Sequence, residues 1–138
     1  MTLYMLDTNT VSYMANGKSK AARARLLNLG DDEAVCLSVV TEAEVLYGLS
    51  RRSEAVALKE RMGWFLASIR VLPWGRDTAA VYGPMRAKLE SAGKVLGTMD
   101  MQIAAHAVAA GAVLVTNDKA FGFVKELKGI VNWATDLS

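Results

Sequence analysis

Leu3-Tyr4-Met5-Leu6-Asp7-Thr8-Asn9 is the stretch whose reading decides the fold. Its apolar run has the length and content of a strand buried on both faces, and Asp7 ends it. Residues 8–15 then read as a short helix, closed by Asn16-Gly17. A buried strand that passes straight into a helix is the opening of an α/β unit. The pattern recurs. Residues 34–39 read as a second buried strand, followed by a helix over 41–50, and residues 112–115 as a strand ending at Thr116-Asn117-Asp118.

The intervening segments fill in the same scheme. Residues 19–29 have helical spacing, carry Lys20, Arg23 and Arg25, and stop at Gly30. Residues 54–68 read as a helix with Leu58, Met62, Phe65, Leu66 and Ile69 on one stripe, forming a hairpin with the helix before it. A short strand over 69–74 is broken by Pro73. Residues 77–92 read as a helix that Pro84 kinks or splits near Gly83. A small-residue helix over 98–110, a short helix after Asp118 and an edge strand over 130–133 complete the chain. The expectation is a three-layer α/β domain over residues 1–138, a mostly parallel sheet of about five strands flanked by helices.

In such a sheet the carboxyl ends of the strands share one edge, the following helices begin there, and ligands bind in the crevice beside it. Asp7 and Asp118 directly follow strands in this reading, while Glu44 and Asp100 fall in the first turn of helices. Each has an ordinary structural explanation. Asp7 and Asp118 suit helix caps, Thr41-Glu42-Ala43-Glu44 is a capping-box pattern, and Asp100 complements a helix dipole. Those explanations do not say why acids recur at several elements on one edge. Four carboxylates brought together there form a set of hard oxygen donors suited to Mg²⁺ or Mn²⁺. Glu42 and Glu44 point nearly oppositely on a helix, so only one faces the pocket, and periodicity does not choose between them.

Composition narrows the classes. The 138 residues are 52% hydrophobic and 22% charged, enough to bury a core and too apolar for disorder. No apolar run approaches a bilayer span, and the N-terminus lacks the basic stretch of a signal peptide, so a cytoplasmic protein is expected. Cys36 is the only cysteine, which excludes an internal disulfide and a thiolate zinc site; it reads as a buried structural thiol. His106, the only histidine, lies six residues past Asp100 and so on another side of a regular helix. It reads as a packing or hydrogen-bonding residue rather than a general base. With the four acids set aside, 10 Asp and Glu face 16 Lys and Arg, so an acidic pocket on a basic body suits a phosphodiester substrate.

Taken together, Met5-Leu6-Asp7-Thr8-Asn9, the segment from Ser38 through Thr41-Glu42-Ala43-Glu44 to Tyr47-Gly48, Gly97-Thr98-Met99-Asp100, Val115-Thr116-Asn117-Asp118 and Asn132-Trp133 resemble the PIN domain, and within it the VapC toxins of bacterial toxin–antitoxin pairs. The resemblance implies a Mg²⁺- or Mn²⁺-dependent endoribonuclease. It places the family's acids at Asp7, Glu44, Asp100 and Asp118, selecting Glu44 over Glu42, and supporting polar positions at Thr8, Asn9 and Thr116. It also implies a transfer RNA substrate, in some members the initiator tRNA, a VapB-type antitoxin and a homodimer. Two departures stand out: Met99 where relatives often have proline, and Pro84 inside a helix that is usually unbroken. The competing reading is a non-cleaving module that binds RNA or an antitoxin. A nucleotide-binding domain would need a GxGxxG or GxxxxGK[ST] loop after a strand, and none is present.

Overall fold

The computed structural model describes residues 1–137. The chain runs β1 (Thr2–Leu6), α1 (Thr8–Ala15), α2 (Lys20–Leu27), β2 (Glu33–Ser38), α3 (Val39–Ser50), α4 (Val56–Ser68) and β3 (Arg70–Leu72). It continues through α5 (Arg76–Ser91), α6 (Thr98–Ala110), β4 (Val113–Val115), a short 3-10 turn (Lys119–Phe123) and β5 (Ile130–Val131). The strands form one sheet in the order β3-β2-β1-β4-β5, every pairing parallel. From β1 the chain builds outward to β2 and β3 on one side, and later to β4 and β5 on the other. The order reverses between β1 and β4, and that is where an open parallel sheet leaves a crevice.

Alternation along the strands makes three layers. Leu3 and Met5 of β1, Cys36 of β2 and Leu114 of β4 pack with Met85, Leu89, Ile103 and Phe121 on the α5–α6 face. Tyr4, Leu6, Leu37 and Val115 pack with Val11, Met14, Val45 and Met62 on the opposite face, beneath α1 to α4. Both faces being covered explains why the strands read as unbroken apolar runs. In α6 the fully buried Ala104, Ala105 and Ala107 keep the helix surface low and allow close approach to the sheet. Cys36 is buried and free, and burial pushes its thiol pKa up to about 11, so it is inert packing. No helix among the described residues is long and apolar enough to cross a membrane.

Several boundaries differ from the sequence expectation. The capping box at Thr41 does not form, because α3 starts at Val39 with Ser38 as its cap, the Ser38 hydroxyl accepting from the Val40 N–H. Glu44 therefore lies in the second turn of α3, not the first. Pro84 does not split α5, which is helical from Arg76 to Ser91. Ala80, Gly83 and Pro84 all lie on its exposed side, where water can satisfy the carbonyl that the proline ring orphans. The third strand covers only Arg70–Leu72, and the last only Ile130–Val131, since the sheet edge offers pairing to little more than their centres.

Candidate functional site

Asp7 sits at the switch point. Its backbone N–H donates to the Val115 carbonyl (3.0 Å), carrying the β1–β4 pairing one residue past the strand. One carboxylate oxygen accepts from the Thr10 N–H (2.9 Å) and so caps α1; the other accepts from the Thr116 hydroxyl (2.6 Å). The Thr116 oxygen in turn accepts from the Asp118 N–H (3.0 Å), tying the loop after β4 to the loop after β1. Asp7 is only 3% exposed. Burial raises its pKa, the bonds from Thr10 and Thr116 oppose the rise, and the charge of Asp118 adds to it.

The other acids surround this point. Thr8, at the start of α1, donates its hydroxyl to Glu44 of α3 (2.6 Å). Asp118 caps the 3-10 turn by accepting from the Ala120 N–H (2.9 Å), so the cap reading holds there as at Asp7. Asp100, half-buried in the first turn of α6, has its pKa pushed up to about 6. Burial is the largest cause, followed by the negative charges of Glu44, Asp118 and Asp7. A carboxylate that feels three others through a partly desolvated rim is one whose ionised form is held back by its neighbours. Glu44, rather than Glu42, faces the pocket: it alone of the pair bonds Thr8 and acts on Asp100.

The PIN domain family matches residues 4–127 of the chain. A "Ribonuclease VapC2" of Rickettsia felis is 32% identical over 94% of this chain and 93% of its own length. The chain belongs to the PIN-domain family, in its VapC branch. A "tRNA(fMet)-specific endonuclease VapC" of Shigella flexneri is 33% identical over 86% of this chain and 88% of its own. The crystal structure of VapBC2 from Rickettsia felis, bound to a DNA fragment from its promoter, superposes with a TM-score of 0.89 at 30% identity, covering 96% of this chain and 99% of that one.

In this PIN domain the acids share a rim without closing on one point. Among the described residues, no three acidic or histidine side chains stand close enough to grip a metal ion as placed. The donor set itself fits a hard divalent cation: carboxylates only, flanked by the hydroxyls of Thr8 and Thr116, with neither thiol nor imidazole among them. Asn9, the remaining polar position, is exposed at the second residue of α1. His106 is buried away from the acids, its Nδ1 2.7 Å from the Ser38 hydroxyl oxygen. Burial lowers its pKa against the opposing influence of Asp77 and the Pro73 carbonyl, which keeps the ring neutral.

Two positioning residues escaped the sequence reading, Thr10 and Ser38. Thr10 holds the Val115 carbonyl through its hydroxyl (3.3 Å) as well as Asp7 through its N–H. Ser38 joins the carboxyl end of β2 to α6 through His106. Its only signal was a small hydroxyl at a strand end, which is common in caps. Ser38→Ala removes a helix cap and a buried partner at once and is expected to cost about 1–2 kcal/mol, read from denaturant melts. An unchanged midpoint would show that neither bond matters. Beside Thr8 and Glu44 a cleft of about 450 Å³ continues between α1, α3 and α4, lined also by Ser12, Asn16, Gly48, Arg51 and Arg52.

Proposed function

We propose that this PIN domain is a metal-dependent endoribonuclease, the toxin of a toxin–antitoxin pair, and that its substrate is transfer RNA, the initiator tRNA first among them. The observation that carries the reading is the rim of four acids, with Asp100 raised to about 6 by its burial and the other three carboxylates. Such mutual repulsion is retained where the charge is wanted for a cation. Asp7, Glu44 and Asp100 would hold Mg²⁺ or Mn²⁺, and Asp118 would complete the set. When bound, a divalent ion supplies a nucleophile at neutral pH and neutralises charge at phosphorus.

The chain's own residues do the rest. Thr116 and the Thr10 N–H lock Asp7 in one rotamer, each taking one lone pair of its carboxylate and leaving the others for a cation. Thr8 does the same for Glu44. Asn9, exposed beside them, is placed to meet the RNA backbone. The transfer RNA substrate is supported by the tRNA(fMet)-specific relative. A VapB-type antitoxin as inhibitor is supported by the VapBC complexes whose fold this chain shares; the homodimer is proposed on the family resemblance alone.

The test is twofold. Purified protein is expected to cut RNA with Mg²⁺ or Mn²⁺ present and to stop when EDTA is added; cleavage that persists in EDTA rules out the metal. Sequencing of RNA 5′ ends after expression is expected to show new ends in the initiator tRNA anticodon loop. New ends confined to messenger or ribosomal RNA would reject the transfer RNA substrate.

A further inference from the structure

The cleft that opens from Thr8 and Glu44 carries basic side chains at its far end and the apolar side chains of Val45, Leu49, Leu58 and Met62 along its base. α3 and its C-cap contribute Glu44, Gly48 and Arg51 to it, residues spaced four and three apart and so stacked on one helical face. Gly48 lies in the last turn of α3, where glycine is a weaker helix former than alanine. Packing does not require it, because a Cβ added there would meet nothing within 4 Å. What the missing side chain does is leave the cleft open. Arg51 and Arg52 are exposed, and neither takes part in the salt bridges seen among the described residues, Arg25–Glu33 and Arg86–Glu90. The Arg51 guanidinium stacks on the Tyr47 ring, 5.5 Å from its centroid, which fixes its direction while leaving its N–H donors free. Ser12 of α1 and Asn16, its C-cap, line the cleft with a hydroxyl and an amide.

We propose that this cleft is the track of the RNA strand beyond the acids, with Arg51 and Arg52 binding a backbone phosphate that flanks the cut and Gly48 leaving the space the strand crosses. The assignment rests on the ribonuclease reading and names the part of the site that holds the substrate. Glu44 and Arg51 are seven residues apart, about 10 Å along the helix axis. That distance separates the arginine from the scissile bond, so it grips a neighbouring phosphate and not the reacting one. A cation at the C-cap of α3 also complements the helix dipole. The dipole accounts for a positive charge there, but not for a glycine that leaves open space on the way to it. A basic peptide tail would meet repulsion at this end, whereas a phosphodiester strand meets the donors of Arg51, Arg52, Ser12 and Asn16.

Fluorescence anisotropy of a labelled short oligouridylate, titrated in EDTA with the full chain, tests this without asking for cleavage. Arg51→Ala/Arg52→Ala is expected to weaken binding about tenfold and to lower the slope of log K against log salt by about 0.7, one neutralised phosphate's worth for a single strand. Gly48→Leu is expected to weaken binding comparably while leaving the melting temperature unchanged or higher, since leucine is the better helix former. A wild-type protein that does not bind the oligomer overturns the proposal. So does a double variant with wild-type affinity and slope, including one whose only defect is in binding a VapB-type peptide. A protein that binds as expected but never cuts with Mg²⁺ would sink the ribonuclease reading by a separate measurement.

Discussion

Asp7→Asn is expected to lower RNA cleavage on the order of a thousandfold or more while the protein stays folded. The amide keeps the carboxylate's shape. Its oxygen can still accept from the Thr10 N–H and cap α1, and its nitrogen can donate to the Thr116 oxygen, which remains able to rotate its own proton elsewhere. What is lost is the negative charge at the switch point. That charge is disfavoured by burial in the metal-free protein, so its removal does not weaken the fold. Asp7→Ala is a poorer test, because it strands the Thr10 N–H and costs about 1 kcal/mol as a lost cap. Glu42→Gln, on the other side of α3 from Glu44, is the matched control and should cut at the wild-type rate. Initial rates with Mg²⁺, beside far-UV melts of each variant, give the answer. Cleavage by Asp7→Asn within tenfold of wild type would remove Asp7 from the reaction.

How much of this was legible in the sequence depends on the range of the forces involved. The strands were legible because both faces of the sheet are covered, so Leu3 to Leu6 and Val113 to Val115 appear as apolar runs whatever their partners. The convergence of Asp7 and Asp118 followed from topology alone: residues after parallel strands share an edge. The choice between Glu42 and Glu44 was not local. Apolar residues lie on both sides of α3, and what distinguishes Glu44 is Thr8, 36 positions away. The same holds for Ser38, whose meaning depends on His106 across 68 positions. The α3 start was misjudged because Thr41-x-x-Glu44 satisfies a capping box locally, yet Ser38 ends the strand three residues earlier and takes the cap first. Pro84 was over-weighted for the opposite reason. A proline costs a helix less when its turn faces water and the rest of the helix is packed against a neighbour, as α5 is against α6. The tightness of the acid rim could not be read at all, since it depends on side-chain rotamers that topology leaves free.

Those rotamers, and the ionisation they control, are open to a second measurement. In EDTA at pH 7.5, Asp100→Asn is expected to be more stable than the wild type by about 1–2 kcal/mol, several degrees in Tm. The Asp100 pKa lies near 6 in the folded chain against an ordinary 3.8, so the metal-free native state binds its proton more tightly than the unfolded state does. Stability from this group is therefore fully present below about pH 4, falls as pH rises toward 6, and stays low above that. The whole shift corresponds to about 3 kcal/mol, reduced here because the side chain is partly solvated. Asparagine cannot ionise, so the variant escapes the loss, and its advantage should hold from pH 7.5 to about pH 6.5 and then shrink down to pH 4. Saturating Mg²⁺ should reverse the order at pH 7.5, because a cation that binds only the folded wild type stabilises it by mass action, while the variant has lost one of its anionic donors. Raised stability in the variant at neutral pH thus marks the same charge that cleavage depends on. A variant less stable than wild type in EDTA, or an advantage that ignores pH, would mean that Asp100 is not under the strain of its three neighbours.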